Sequence, residues 1–324
     1  MTKILVTGAT GFIGSHLVEL LVSRGHDVIA FDRYNPNNHW GWLENSKYKN
    51  DIEVVLGDIR DFDSVYKTMK NCNTVIHLAA LGGIPYSYIS PLAYIRTNIE
   101  GTYNVLESSK SLDLENILVT STSEVYGTAQ YTPIDEKHPL NGQSPYSATK
   151  IGADQLSISY YQSFDLPVKI VRPFNTYGPR QSARAIIPSI IIQILNGAKE
   201  LNLGNLTPTR DLTYVDDTCT GIYKILNNMS LIGKTVNIGM NKEISITDLL
   251  DKILKLMSAN ITINIDKKRI RPEKSEVDRL LCDNSLIISS TDWRPKYSLD
   301  SGLKNTIDWL TDNIEKYKPN IYNV

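Results

Sequence analysis

The first half of the chain alternates short apolar runs with longer stretches of helical periodicity. Residues 12–24 place apolar side chains at positions 13, 17, 18, 21 and 22, one face of a helix, and Gly25 then stops it. The apolar runs are continuous rather than alternating, as in strands that are buried on both faces. They span residues 3–7 (KILVT), 27–32 (DVIAFD), 52–58 (IEVVLGD), 74–80 (TVIHLAA), 116–122 (NILVTST) and 168–174 (VKIVRPF). The pattern predicts an α/β fold with a doubly wound parallel sheet, covered by helices on both faces.

The rhythm changes after about residue 178. Strand signals become sparse, and residues 247–257 carry apolar side chains on one helical face. We expect a smaller α/β C-terminal domain that binds the substrate, so the predicted domains are residues 1–178 and 179–324. The boundary is soft, because the strand-like segment 235–239 (TVNIG) could return to the main sheet.

Composition narrows the classes of function. The 324 residues carry a net charge of −1 with both signs interspersed, which argues against nucleic acid or a membrane as partner. The cysteines Cys72, Cys219 and Cys282 lie far apart without a CxxC pair or companion histidines, so we expect neither a metal site nor a disulfide framework. The most apolar stretch, 186–195, is too short to span a bilayer and is predicted as a buried helix. With no signal-peptide pattern, we expect a cytoplasmic protein.

A glycine motif, TGATGFIG (7–14), lies between the first predicted strand and the first predicted helix. Gly8 and Gly11 let the backbone approach a pyrophosphate, and Gly14 lets the helix pack closely on the strand. Asp32, at the end of the second strand, is placed to accept the ribose hydroxyls of NAD and to repel the 2′-phosphate of NADP. Arg33 beside it leaves NADP as the alternative. This is the pattern of a Rossmann-like dinucleotide site.

Further residues follow the third and fourth strands. Asp58 is placed to meet the adenine, and His77 is expected to pack beside the cofactor rather than to do chemistry. The candidate cofactor-binding residues are Gly8, Gly11, Phe12, Ile13, Asp32, Arg33, Asp58, Ile59, Leu78, Ala79, Ala80, Tyr146 and Lys150.

The candidate catalytic residues are Thr122, Ser123, Glu124, Tyr146 and Lys150. Tyr146 and Lys150 lie four residues apart, on one face of a predicted helix. A nearby ammonium and the charge of an oxidised nicotinamide favour the phenolate, so we expect a lowered pKa for Tyr146. Thr122 and Glu124 follow the fifth strand at the carboxyl edge of the sheet, where ligands gather. Thr122 can hydrogen-bond the hydroxyl being oxidised, and Glu124 places a carboxylate beside it.

At these residues the chain resembles the extended short-chain dehydrogenase/reductases, the NAD-dependent epimerase/dehydratase family. The resemblance covers nearly the whole length and rests on several motifs: TGATGFIG (7–14), HLAA (77–80), STSEVYG (121–127), YSATK (146–150), RPFNTYGPRQ (172–181), RDLTYVDD (210–217) and RPEKSEVD (271–278). More particular stretches resemble the 4,6-dehydratases of the legionaminic acid pathway, which act on a nucleoside-diphosphate-activated N-acetylglucosamine. They are YNPNNHWGWLE (34–44), IPYSY (84–88), 135–154 and 172–188.

The resemblance implies a sequence of proton and hydride transfers. Tyr146 takes the C4 hydroxyl proton while NAD accepts the C4 hydride, Glu124 removes the C5 proton, water leaves from C6, and the hydride returns to C6. Glucose-type dehydratases carry Asp-Glu after the threonine, whereas this chain has Ser123-Glu124. GDP-mannose 4,6-dehydratases share the Thr-Ser-Glu order, so one glutamate would serve both proton transfers with Ser123 as relay. Which group protonates the leaving hydroxyl stays open, as does GDP or UDP as the nucleotide.

The resemblance also implies the substrate-binding residues and the assembly. Tyr86 and Tyr88 are candidates to line the sugar pocket, and arginines are suited to the pyrophosphate because the guanidinium fork is bidentate. In relatives, helices corresponding to 92–110 and 146–162 form a four-helix bundle across a dimer, so we expect a homodimer. The candidate substrate-binding residues are Tyr86, Asn175, Arg180, Arg210, Arg271 and Glu276.

Two alternatives to the dehydratase stay open. UDP-glucuronate decarboxylases share Thr-Ser-Glu and RPFNTYGPR, and C4 oxidation activates carboxylate loss as it activates elimination. A 4-epimerase is not one of the two, because it has no need of a carboxylate at position 124. A non-catalytic cofactor-sensing protein is the alternative from a different class, but it would be expected to have lost part of the Thr122, Tyr146 and Lys150 set.

Overall fold

The computed structural model describes residues 3–318. Within this range, a seven-stranded parallel sheet has the order β10-β6-β5-β4-β1-β2-β3. Its strands are β1 (Lys3–Thr7), β2 (Asp27–Arg33), β3 (Ile52–Gly57), β4 (Thr74–His77), β5 (Asn116–Thr120), β6 (Val168–Pro173) and β10 (Thr235–Ile238). The six strands predicted in the first half are all present, and the doubly wound α/β fold class is confirmed.

Successive side chains of the strands pack into two different hydrophobic cores. Ile4 and Val6 of β1 belong to one core, whereas Leu5 between them belongs to the other. Both faces are therefore covered, which explains the continuous apolar runs in the sequence. The helices are α1 (Phe12–Ser23), α2 (Phe62–Met69), α3 (Ile84–Ile89), α4 (Pro91–Tyr94), α5 (Gly101–Ser111), α6 (Pro145–Phe164), α7 (Ile186–Leu195), α8 (Val215–Leu226), α9 (Ile246–Leu256), α10 (Ser285–Ser290) and α11 (Leu299–Asp312).

The second half adds two small sheets beside the main one. In the first, β9 (Thr209–Tyr214) lies between β7 (Asn175–Tyr177) and β11 (Glu243–Ser245). In the second, β12 (Thr262–Ile265) pairs parallel with β8 (Glu200–Leu203). The sequence pattern did not indicate β7 and β11, which have only three residues each. The strand β10 pairs with β6, so segment 235–239 contributes an edge strand to the main sheet.

The helix predicted from residue 92 to residue 110 is not one regular α-helix. After α4, residues Ile95–Glu100 form a π-helical stretch before α5 begins. Short π-helical segments are frequent near functional sites, and here Asn98 of this stretch bonds the backbone of Leu81 with both its amide atoms. No helix within residues 3–318 is long and apolar enough to cross a lipid bilayer.

A buried ion pair ties α6 to β5 and β6, two neighbouring strands of the main sheet. Asp154 of α6 accepts bonds from the Nε and Nη2 of Arg172 on β6 at 3.0 and 2.9 Å, and from Ser121 Oγ after β5 at 2.8 Å. Arg172 also donates to the hydroxyl of Tyr126 at 3.0 Å. The charged side chains are 3% and 0% exposed, so each depends on the other for its charge to be compensated. This network holds α6 in register with the strand ends.

We expect Asp154→Ala to lower the free energy of unfolding by about 3–5 kcal/mol, because it leaves the Arg172 charge buried without a counterion. Urea denaturation measures this. Asp292→Ala removes an exposed partner of Lys224 and is the matched control, with little expected change. Equal midpoints for Asp154→Ala and the unaltered protein would show that the buried pair does not hold the fold together.

Candidate active site

A cavity of about 1230 Å³ opens along the carboxyl edge of the main sheet. It runs from the glycine motif, past the loops that follow β4 and β5, to the segment around Arg271. Every candidate cofactor-binding, catalytic and substrate-binding residue of the sequence analysis lines this cavity. The carboxyl ends of parallel strands converge at one edge, which is why residues distant in sequence meet here.

The glycine motif forms a cradle that larger residues would fill. Gly8 has φ +68, and a Cβ there would lie 2.8 Å from the backbone nitrogen of Ala79. A Cβ on Gly14 would lie 2.1 Å from the carbonyl oxygen of Gly8, so glycine is required for α1 to pack on β1. Gly11 is different, because its Cβ would touch only that same oxygen at 3.4 Å. Its remaining side is open toward the cavity, as close approach of a pyrophosphate requires.

Asp32 is fastened to the glycine motif. Its Oδ2 accepts bonds from the backbone N–H and the hydroxyl of Thr10, at 2.8 and 2.7 Å, and its Oδ1 accepts from the N–H of Arg33 at 2.7 Å. The carboxylate therefore lies at the cavity wall in a fixed orientation, a position that suits the ribose hydroxyls of a dinucleotide.

Asp58 is paired with a residue that sequence reasoning missed. Arg60 donates to both carboxylate oxygens of Asp58, and this contact lowers the pKa of Asp58. Both residues line the cavity, so the adenine side has an arginine as well as an acid. The signal was the position of Arg60, two residues beyond Asp58 in the GDIR segment.

The proposed catalytic side chains converge in the same cavity. The capping box of Ser144 and Ser147 begins α6 with Pro145 at its first position, which places Tyr146 in the first turn. The phenol hydrogen-bonds to Thr122, and Thr122 Oγ1 accepts a bond from the backbone N–H of Glu124 at 3.2 Å. Glu124 is only 8% exposed. The charge of Glu124 contributes to raising the pKa of Tyr146, and both residues line the cavity.

The lowered Tyr146 pKa was expected with an oxidised nicotinamide bound, and in the protein without cofactor the shift has the opposite direction. Burial raises this pKa above its ordinary value; the bond to Thr122 opposes the rise, whereas the charge of Glu124 adds to it. Lys150 does not act on the phenol as expected, because its ammonium donates to the carbonyl oxygen of Thr120 at 2.6 Å. Burial also lowers the pKa of Lys150 to about 8. The positive charge of an oxidised cofactor would act in the opposite direction and favour the phenolate.

At the other end of the cavity two arginines share one carboxylate. Arg210 Nη2 and Arg271 Nη1 each lie 3.6 Å from Glu276 Oε1. Burial lowers the pKa of Arg210, and the neighbouring Arg271 acts in the same direction. Glu124 and Asp278 also act on Arg210 electrostatically. The guanidinium donors of the two arginines suit an anionic group such as a pyrophosphate.

Three candidate substrate-binding residues present buried polar atoms that make no hydrogen bond within residues 3–318. These atoms are Oδ1 of Asn175, Nη1 of Arg180 and Nη1 of Arg271. The opposite edge of the Arg180 guanidinium is held by Glu19 of α1 at 3.0 Å. Buried polar groups in folded proteins normally have partners, so these atoms are suited to a polar ligand in the cavity.

The tyrosines of the IPYSY segment have different surroundings. Tyr86 lines the cavity, and its ring lies 6.1 Å from that of Tyr94, which in turn lies 6.2 Å edge-on from Tyr146. Tyr88 does not line it and instead shares a 2.6 Å hydrogen bond with Ser275. His77 is buried between Thr7 and Thr102, and burial lowers its pKa to about 3, so it stays neutral at physiological pH.

Sequence reasoning also missed Trp42 and Arg184. Trp42 lies in the segment after β2 that the family resemblance singled out, and it lines the cavity. Arg184 lines it too, with its guanidinium so close to Gly83 that any Cβ there would collide with it. Tryptophan and arginine are both ordinary in loops, so only the folded chain shows that these two residues line the cavity. Within the described range, no group of three or more His, Cys, Asp or Glu side chains could hold a metal ion.

The sequence profile of the GDP-mannose 4,6-dehydratase family matches residues 5–306. The chain belongs to this family. The match agrees with the extended short-chain dehydrogenase/reductase fold that the motifs indicated. The chain is therefore an enzyme of the nucleotide-sugar dehydratase and epimerase group.

Relatives in this family carry out more than one reaction. The chain is 30% identical to the dTDP-glucose 4,6-dehydratase of Streptomyces antibioticus, over 98% of this chain and 95% of that protein. It is 31% identical to the UDP-glucuronate 4-epimerase of Thermodesulfobacterium geofontis, over 97% and 98%. A crystal structure of the dTDP-glucose 4,6-dehydratase of Streptomyces venezuelae, with NAD bound, matches with a TM-score of 0.89 at 28% identity, over 98% and 99%. Family membership therefore leaves dehydration and epimerisation both to be considered.

The open side of Gly11 leads to a test of the cradle. Gly11 has φ −75, which any residue adopts, so Gly11→Ala is expected to leave the unfolding free energy nearly unchanged. Its methyl group occupies space at the pyrophosphate cradle, and we expect NAD affinity to fall by about tenfold or more, ~1.4 kcal/mol. Isothermal titration calorimetry measures this.

Gly25→Ala is the control, since Gly25 has φ +82 and no atom within 4 Å of its Cβ position. It should lose about 1–2 kcal/mol of stability from backbone strain while binding NAD normally. If Gly11→Ala binds NAD as tightly as the unaltered protein, the cradle does not receive the pyrophosphate.

Proposed function

We propose that this enzyme is a nucleotide-sugar 4,6-dehydratase that converts NDP-N-acetylglucosamine into its 4-keto-6-deoxy derivative. The cofactor is NAD, as in the NAD-bound structures that the fold matches. The observation that carries the proposal is the convergence of Thr122, Glu124 and Tyr146 in one cavity with the glycine cradle. A dehydratase needs a base for a hydroxyl and a second, separate base for carbon, and the cavity supplies both.

The residues divide the work by position. Tyr146 takes the proton of the C4 hydroxyl, while Thr122 orients that hydroxyl. NAD, which the glycine cradle and Asp32 would hold, would supply the oxidant at C4 and the hydride that is returned to C6. The ketone at C4 acidifies the C5 proton, and Glu124 removes it. The C6 hydroxyl leaves as water after receiving a proton from Glu124, with Ser123 as relay. When the hydride returns to C6, C5 takes up a proton from Glu124, which has regained one from solvent. Tyr146 releases the proton of the C4 hydroxyl to solvent, so the protons balance over the whole reaction.

The nucleotide end follows from the arginines that line the cavity there. Arg180, Arg210 and Arg271 bind the pyrophosphate in this proposal, since guanidinium groups match phosphate oxygens in a bidentate way. Asn175 supplies an acceptor beside them, and Glu276 accepts ribose hydroxyls. Tyr86 borders the sugar next to the Tyr94 and Tyr146 rings.

Two finer expectations belong to the same proposal. The stretches 34–44, 84–88, 135–154 and 172–188 support a place in legionaminic acid synthesis, in the cytoplasm, with GDP or UDP as the nucleotide. A homodimer is supported by exposed apolar side chains along the α4 to α6 region: Leu92, Ile95, Tyr103, Tyr161 and Phe164. Light scattering from the protein in solution measures the particle mass and tests the dimer.

One observation favours a second candidate, UDP-glucuronate decarboxylation. Arg184 is exposed at the cavity wall beside Gly83 and Tyr94, and no carboxylate within residues 3–318 forms an ion pair with it. A cation at the sugar end suits a substrate that carries a carboxylate. Oxidation at C4 by the same residues would then lead to loss of carbon dioxide.

Product mass decides between these reactions. We expect purified enzyme incubated with GDP- or UDP-N-acetylglucosamine to release a product lighter by one water, because Glu124 is placed to remove the C5 proton. Mass spectrometry with UDP-glucuronate as the third substrate provides the contrast. A product lighter by one carbon dioxide would overturn the proposal in favour of the decarboxylase, and an isomer of unchanged mass would indicate an epimerase.

Replacing the two bases separates the steps. Glu124→Gln should lower product formation by about 10²–10⁴-fold, the usual contribution of a positioned acid–base group. Since Tyr146 is intact, C4 oxidation continues and the near-ultraviolet absorbance of reduced nicotinamide accumulates. Tyr146→Phe should lose both product and absorbance.

Glu115→Gln is the matched control, because Glu115 is exposed at the opposite end of β5 and should leave activity unchanged. Normal turnover by Glu124→Gln would show that another group removes the C5 proton.

A further inference from the structure

Three aromatic side chains from opposite ends of the chain meet beside the glycine cradle. Trp42 follows β2, Trp309 lies in α11, and Tyr317 lies near the end of the described residues. The ring of Trp42 is 5.4 Å from that of Trp309 and 6.2 Å from that of Tyr317, and the last two are 6.3 Å apart. Such distances are typical of aromatic rings in favourable contact. Trp42 also lines the cavity, so one member of the cluster faces the ligand space.

The backbone at Trp42 is docked on the glycine motif. The N–H of Trp42 donates to the carbonyl oxygen of Thr10 at 3.0 Å. Gly41 has φ +53, and a Cβ there would lie 2.6 Å from the same oxygen. Thr10 in turn holds the carboxylate of Asp32. The tryptophan is thus placed by the loop that forms the pyrophosphate cradle.

The other side of the cluster reaches the opposite wall of the cavity. The hydroxyl of Tyr317 donates to the carbonyl oxygen of Gln181 at 2.9 Å. Gln181 and its neighbour Arg180 both line the cavity, and Arg180 is bonded to Glu19 of α1. The cluster therefore bridges the glycine motif and the loop that carries Arg180. The C-terminal helix thereby braces the dinucleotide half of the site.

We propose that Trp42, braced by Trp309 and Tyr317, is a clasp that keeps NAD in the cavity throughout turnover. Trp42 is only half-buried and faces the ligand space, so a bound dinucleotide would cover its remaining surface. The clasp rests on the proposed function in one respect. A reaction that removes a hydride from C4 and returns it to C6 requires the same cofactor molecule to stay. Loss of the reduced cofactor between these steps would release a 4-keto sugar and leave the enzyme without an oxidant.

The release rate of NAD tests the clasp without any sugar. We expect Trp42→Ala and Trp309→Ala to release NAD at least about tenfold faster than the unaltered protein, measured by stopped-flow displacement, where tenfold corresponds to ~1.4 kcal/mol. Trp42→Phe should recover most of the retention, because a ring remains at the wall. Circular dichroism checks that each variant is folded.

Trp40→Ala is the matched control. Trp40 lies in the same segment but does not line the cavity. Its backbone N–H donates to the carboxylate of Glu44, and the ammonium of Lys49 lies over its ring. Its loss should leave NAD release unchanged. Equal release from Trp40→Ala and Trp42→Ala would overturn the clasp, because it would indicate general loosening of the segment. Unchanged release from Trp309→Ala would likewise overturn the bracing by the C-terminal helix.

Turnover supplies a second readout. With NDP-N-acetylglucosamine and no added NAD, the Trp42→Ala enzyme should lose activity progressively, release reduced nicotinamide into the filtrate, and recover when NAD is added. The unaltered enzyme should keep its cofactor. If no sugar reacts with the unaltered enzyme, the proposed function fails while the sugar-free release rates still decide on the clasp. If dehydration proceeds and the release rates are equal, the clasp alone fails.

Discussion

The rest of the structure depends on how closely the glycine motif approaches its neighbours. Gly8 lies against the backbone of Ala79 after β4, and Gly14 lies against the carbonyl of Gly8, so neither position has room for a side chain. This contact sets α1 on the sheet and brings the exits of β1 and β4 together. Asp32, held through Thr10, joins the exit of β2 to the same point. The cavity begins where these backbones touch, and its catalytic and nucleotide ends are positioned relative to it.

Burial controls the chemistry as much as residue type does. Tyr146 and Glu124 are enclosed together, so the phenol stays protonated in the protein alone, and the bond from Lys150 to Thr120 keeps the ammonium from compensating. The positive charge of a bound oxidised cofactor favours the phenolate, so the base that we propose is linked to the presence of oxidised NAD. The Asp154–Arg172 pair is buried and does not line the cavity. Its part is to hold α6 in place, because a charge buried without its partner is costly.

Much of the site was predictable because it is local in sequence. Strand, glycine motif and helix follow one another within residues 3–23, and Tyr146 and Lys150 share one helical turn. The carboxyl-edge rule then places Thr122 and Glu124 with them. Trp42 and Arg184 were missed because their contact partners come from distant parts of the chain, which no local pattern indicates. Arg60 was missed although its partner Asp58 lies only two residues away. The sequence also did not indicate that burial raises the pKa of Tyr146 in the protein without cofactor, since desolvation and the partner of Lys150 depend on packing.

The sequence by itself determined the α/β class, the order of strands and helices in the first half, and the chemical groups available to the site. The fold class and the order of elements follow from hydrophobic periodicity and from the glycine motif, both of which are local patterns in the sequence. Only the tertiary structure decided which charges are neutralised, as Arg210 and Arg271 are in part by Glu276, and which ring braces which wall. It also placed β10 in the main sheet. The physical reason is that charge compensation, burial and edge pairing are set by distances between segments, and those distances exist only once the chain has folded.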